Sequence, residues 1–175
     1  MGGTGYISGR YGRPFEETLD IDRLENIARE ELRRRVPPPR RRVFISFRHT
    51  DKPVADMLRG QAKNENSKLD FIDMGLQVPF ASENAEYIKQ GIHARIEQSS
   101  VTLVIVSETT YESEWVNWEI RETLRLGKGV VVVNTTNNPS IRMPDAVNVN
   151  MDRVKIVSWN HVEIMDAINE VTSEK

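Results

Sequence analysis

From Val43 onward, short apolar runs alternate with segments whose apolar residues recur every three or four positions. Val43-Phe44-Ile45-Ser46-Phe47 is β-branched and aromatic, the composition of a strand. Asp51 is placed to cap a helix carried by Val54, Met57 and Leu58, which the Asn64–Ser67 cluster ends. Leu69-Asp70-Phe71-Ile72 predicts a second strand and residues 74–81 a loop. Ser82 then caps a helix in which Ile88, Ile92 and Ile96 recur every four residues. Val101 to Val106 is apolar except for Thr102, as a strand covered on both faces must be. Ser113 caps a helix with Val116, Ile120 and Leu124 on its core face, ending at Gly127. Gly129 to Val133 is a fourth strand; a loop of Asn, Thr and Pro follows, then Val154 to Val157 and a last helix over Val162 to Val171.

Alternating strands and helices with apolar strands imply a three-layer α/β fold, a parallel sheet with helices on both faces. Five strands, beginning near residues 43, 69, 101, 129 and 154, suit the flavodoxin-like order 2-1-3-4-5. In such sheets ligands bind beyond the carboxyl ends of the strands, near the switch in strand order. That places the crevice beside the residues that follow Phe47, Ile72 and Val106.

Upstream, residues 1–42 read as an N-terminal extension to a domain spanning 43–175. Residues 1–15 are rich in Gly and Tyr without periodicity. Asp20 begins a helix to about Arg35, with Ile21, Leu24, Ala28 and Leu32 as a stripe that must rest on the main domain or on a partner subunit. Arg33-Arg34-Arg35 and Arg40-Arg41-Arg42 flank Pro37-Pro38-Pro39. The extension holds ten arginines against seven acids, a charge of +3, within a chain whose net charge is −2. Such a run can attract phosphate backbones, but an Arg-rich last turn also meets the helix dipole and proline stops the helix. A helix end and stiff linker is therefore expected, not a nucleic-acid site.

Composition narrows the class further. Of 175 residues, 38% are hydrophobic and 29% charged, which suits one globular core. No run approaches the roughly 20 apolar residues of a membrane span, and Met1–Gly5 lacks the apolar core of a secretory signal. The absence of cysteine excludes thiolate chemistry and fits a cytoplasmic protein. His49, His93 and His161 lack metal-ligand spacing, so no metal is expected.

Two motifs compete for chemistry. Gly2-Gly3-Thr4-Gly5 resembles a dinucleotide-binding glycine turn, yet no strand precedes it, so the pyrophosphate would have no helix N-terminus to meet. Trp115 and Glu119 lie four apart on one side of a helix. Val116 and Ile120 point at the sheet, roughly 60–100° around from Glu119, which puts the carboxylate at the border of core and solvent. A border carboxylate beside an indole can hold a ribose; a solvated helix glutamate is the structural alternative.

Four segments in order resemble a TIR domain: Val43–Arg48, the loop Asp73–Phe80, Leu103–Ser107 and Trp115-x-x-x-Glu119. Glu114–Ile120 followed by Gly127-Lys128 is closer still to the bacterial TIR-like branch that includes the ThsB proteins of Thoeris anti-phage defence. The resemblance covers roughly 43–133 and extends loosely to Ala146. It implies an enzyme that cleaves the nicotinamide–ribose bond of NAD⁺ with Glu119 as the catalytic carboxylate, NAD⁺ being substrate and no cofactor needed. It implies Phe47 and Arg48 at the crevice floor, Arg48 for phosphate, Asp73, Phe80 and Ala81 in a gating loop, Ser107 at the end of the third strand, and Trp115 beside Glu119. Each has a structural use as well: Phe47 in packing, Arg48 in an ion pair, Asp73 in a turn, Ser107 in a strand-end hydrogen bond. Self-assembly through TIR–TIR contacts and a downstream effector that senses an ADP-ribose-derived product are the implied partners. The rival is a non-enzymatic TIR-type assembly module, since fold does not fix function. A response-regulator receiver is disfavoured, because the acids it needs are replaced by Arg48, His49 and Ser107.

Overall fold

The computed structural model of the protein describes residues 21–35, 39–75 and 85–173. Two compact units divide between Pro39 and Arg40. In the first, α1 spans Ile21–Arg35, the helix its apolar stripe predicts, with a Glu25–Arg29 pair at 3.4 Å four residues apart. Its expected cap, Asp20, lies outside the described residues, as does the segment 1–15.

The second unit runs β1 (Arg41–Ser46), α2 (Lys52–Ala62), β2 (Phe71–Asp73), α3 (Ala85–Gln98), β3 (Val101–Val106), α4 (Glu114–Arg125), β4 (Gly129–Asn134), α5 (Asp145–Asn148), β5 (Val154–Ser158) and α6 (His161–Ser173). The five strands lie in the order β2-β1-β3-β4-β5, and every pair is parallel. This is the flavodoxin-like arrangement, with each strand starting within two residues of its expected place.

Period-two alternation divides the core. Val101, Leu103 and Ile105 of β3 pack with Val43 and Ile45 of β1 among residues of α2 and α6. Val104 and Val106 face the other way, onto Val116, Ile120 and Leu124 of α4. Phe44 joins Ile92 and Ile96 of α3 on that second face. Each such aliphatic side chain contributes roughly 1.5–3 kcal/mol by leaving water. The lone polar side chain on β3, Thr102, sits 2.7 Å from the Thr123 hydroxyl of α4, so its burial leaves no orphan group.

Local chemistry sets both ends of α4. The Ser113 hydroxyl accepts the Val116 N–H at 3.3 Å. At the other end Gly127 takes φ +68°, and the amides of Gly127 and Lys128 return to the carbonyls of Leu124 and Thr123. That is a Schellman stop, and it favours glycine. Asn117 then ties α4 to α5: its Nδ2 donates to Ser113 O at 3.1 Å and its Oδ1 accepts the Ala146 N–H at 2.9 Å.

Four local expectations change. β2 is Phe71–Asp73, not 69–72, because the edge of β1 begins at Arg41, which pairs with Phe71; Leu69 is buried just before it. Met57 is half exposed, so the core face of α2 is Ala55, Leu58 and Ala62. Asp51 precedes α2 without capping it; its carboxylate accepts the hydroxyls of Ser107 at 2.9 Å and Thr110 at 3.3 Å instead. The stretch read as one loop after β4 contains α5, too short for a periodic signal. Ser82, the expected cap of α3, lies outside the described residues. No helix among the described residues is long and apolar enough to cross a membrane.

Candidate active site

Because β2 stops at Asp73, it covers only Arg41–Val43 of β1. A cavity of about 590 Å³ opens against the uncovered stretch, lined by Phe44, Ile45 and Phe47 of the β1 segment, by the face of α2, by Asp73 and Gly75, by Ile92, and by Glu119. The volume falls within the range of small-molecule sites, roughly 300–1,000 Å³. The cavity therefore meets two of the three expected places, with Phe47 and with Asp73 after Ile72 in its wall, while Ser107 after Val106 is not part of that wall.

Glu119 is more deeply set than a border position. It is 8% exposed, and Ser46 beside it is 1% exposed. Ser46 follows Phe44 on the same face of β1 by period two, so its hydroxyl points up at α4 and donates to Glu119 Oε2. Burial pushes the Glu119 carboxyl up to about 7, against the smaller lowering effect of the Ser46 hydrogen bond. A carboxyl raised by burial and set in a cavity wall is a candidate for chemistry. Ser46 was not foreseen. Its signal was the single hydroxyl in the otherwise apolar run Val43–Phe47.

The remaining candidates separate. Phe47 and Asp73 line the cavity with Glu119. The Asp73 side chain is 10% exposed and accepts Arg59 Nε at 3.0 Å, and its other oxygen accepts the Gly75 N–H at 2.9 Å. Arg48 is drawn aside: its Nη1 donates to Thr109 O at 2.6 Å and to Glu112 Oε2 at 2.7 Å, and that hydrogen bond holds the Glu112 carboxyl below its usual range. The Ser107 hydroxyl donates to Asp51 Oδ2 at 2.9 Å, and its amide donates to Thr110 Oγ1 at 2.8 Å. Trp115 is 40% exposed and stands edge-on to Trp118, ring centres 6.1 Å apart; among the described residues it is not part of the cavity wall. Phe80 and Ala81 lie outside the described residues. Arg59 of α2 and Lys63 just after it do line the cavity and were missed, since charged residues on a helix read as solvated surface.

An open parallel sheet in this order, with a polar cavity at its carboxyl edge, defines the flavodoxin-like class of α/β domains. Within that class the sequence matches the model of the Thoeris protein ThsB, TIR-like domain, over residues 44–140, more than half the chain. The chain belongs to this TIR-like family. Among solved structures, the Clostridium botulinum CMP N-glycosidase BcmB is 14% identical, with a TM-score of 0.47 covering 74% of this chain and 98% of that one. The TIR domains of the activated Roq1 resistosome recognising the effector XopQ are 16% identical, with a TM-score of 0.43 over 77% and 85%. No curated protein matches the sequence.

Proposed function

We propose that the domain is a NAD⁺ nucleosidase or cyclase that breaks the nicotinamide–ribose bond and yields an ADP-ribose-derived signal in anti-phage defence. The observation that carries this is Glu119: a buried, titratable carboxylate at a cavity large enough for a nucleotide. Nicotinamide leaves as a neutral base, taking the electron pair of the C1′–N bond, so no general acid is required. The ribose left behind has oxocarbenium character, which a nearby carboxylate stabilises and orients. Water then adds to C1′ and loses a proton to solvent, giving ADP-ribose; in the cyclase case a nucleophilic atom of the same molecule adds in its place. The fold's bias towards neutral Glu119 opposes the ionised form that this chemistry needs, and a cationic nicotinamide in the cavity restores it. Assembly with other copies and an effector reading the product belong to the same proposal.

Glu119→Gln tests it. Glutamine keeps the size and the acceptor for Ser46 but not the charge. NAD⁺ turnover should fall at least about a hundredfold with little change in NAD⁺ affinity, since the charge acts mainly as the cation develops. The comparison is made where the wild type is active, in an infected host if need be, with products separated by mass. Equal NAD⁺ consumption by both proteins removes Glu119 from catalysis. Defence by the wild type without any NAD⁺ product hands the role to the assembly module.

A further inference from the structure

Along α2, Lys52, Asp56, Arg59 and Gly60 share the cavity wall, and Lys63, the residue that ends the helix, continues it. Arg59 is fixed on three sides. Its Nε donates to Asp73 Oδ2 at 3.0 Å and its Nη1 to Asp56 Oδ1 at 3.1 Å, while the guanidinium carbon stands 5.3 Å from the centre of the Phe47 ring. Its side chain is only 20% exposed. Those contacts use part of a fork with five N–H donors, and Nη2 has no hydrogen-bond partner among the described residues.

Gly75 leaves room beside that spare edge. A Cβ on Gly75 would come within 2.7 Å of Arg59 Nη2 and 3.0 Å of Asp73 Oδ1. Gly75 does not have positive φ, so close approach of the guanidinium is what its small size serves. Gly60 lies between Arg59 and Lys63 in the helix, where glycine is worse than alanine. Among the described residues a Cβ there would meet nothing within 4 Å. Lys63, four residues beyond Arg59, forms no ion pair among the described residues.

We infer that this face of α2 is a diphosphate-binding wall, in which Arg59 and Lys63 hold the two phosphates of a dinucleotide whose N-glycosidic end lies at Glu119. The inference deepens the proposed nucleosidase function by naming what the substrate must carry: a diphosphate, read by a seated guanidinium and an ammonium, not a bare nucleoside. It also gives Arg59 the task that Arg48, turned towards Glu112, is not placed to perform.

Calorimetric titration of the full chain with ADP and with adenosine tests the wall without relying on turnover. Wild type should bind ADP more tightly than adenosine. Lys63→Glu, at an exposed position where misfolding is not expected, should weaken ADP binding at least about tenfold, as loss of a charge-assisted hydrogen bond does, and Lys63→Arg should retain it. Arg59→Lys should also weaken it, because an ammonium cannot hold both Asp56 and Asp73 and still present a planar edge. No ADP binding by wild type, adenosine bound as tightly as ADP, or ADP binding unmoved by Lys63→Glu would each overturn the inference. In turnover, Lys63→Glu should raise KM for NAD⁺ by a larger factor than it lowers kcat. Lys63-dependent ADP binding without NAD⁺ cleavage defeats the nucleosidase proposal and leaves the wall standing; NAD⁺ cleavage with an unchanged KM in Lys63→Glu does the reverse.

Discussion

The same Glu119→Gln change that should slow turnover should also make the protein more stable, increasingly so as pH rises. Folding moves the Glu119 carboxyl from 4.5 to about 7, a difference worth roughly 3 kcal/mol between its protonation states. The sign follows from proton uptake. Between those two values the folded chain holds more of this proton than the unfolded chain, so the stabilisation is complete below pH 4.5 and is lost as pH climbs through about 7. Glutamine does not titrate and keeps an acceptor for the Ser46 hydroxyl, so the variant loses nothing over this window. Comparing the two proteins cancels most other titrating groups. Relative to its value near pH 4.5, the variant's advantage should reach about 2 kcal/mol by pH 6 and roughly 3 kcal/mol by pH 8. Urea unfolding of both proteins at pH 5, 6 and 8, followed by tryptophan fluorescence, reads the difference directly. Parallel stability curves across that range would refute the reasoning, and would mean that Glu119 ionises in the fold as it does in water. The result has a functional edge: a charge suited to meeting a cationic transition state is one that the resting fold is strained to carry.

Three further outcomes are expected. The kcat/KM for NAD⁺ should rise with pH through about 7, the value of Glu119 in the free enzyme, since only ionised Glu119 stabilises the oxocarbenium, and Ser46→Ala should move that limb upward because the Ser46 hydrogen bond lowers the Glu119 value; a pH–rate profile identical in both proteins would contradict this. Gly129→Ala places a Cβ 2.6 Å from Val171 Cγ2 and 2.9 Å from its carbonyl oxygen, and overpacking of this kind should lower unfolding free energy by about 1–3 kcal/mol, with Val171→Ala in the same chain recovering part of it. Asn117→Leu leaves the Ala146 N–H without its acceptor, so a loss of about 1–3 kcal/mol is expected in urea unfolding, together with faster amide exchange at Ala146.

The sheet was legible because its signals are local. Six consecutive β-branched or leucine-rich positions at Val101–Val106, a serine before an amphipathic run at Ser113, and a glycine after it at Gly127 each act through neighbours a few residues away. Period two and period 3.6 are properties of the backbone, so strand positions and core faces follow from sequence alone, and TIR-like membership was visible in the same segments. Depth was not legible. A residue at the edge of an apolar stripe is exposed or buried according to how its helix is set over the sheet, and α4 is set so that Glu119 reaches a serine 73 residues away on β1. Competition among charges was likewise decided only in three dimensions. Arg48 was one of several arginines near the strand ends; Glu112 and the Thr109 carbonyl captured it, while Asp73 and Asp56 seated Arg59 at the cavity. Charged side chains carry no periodic signature of their partners, because their pairings form across segments that only packing brings within a few ångströms.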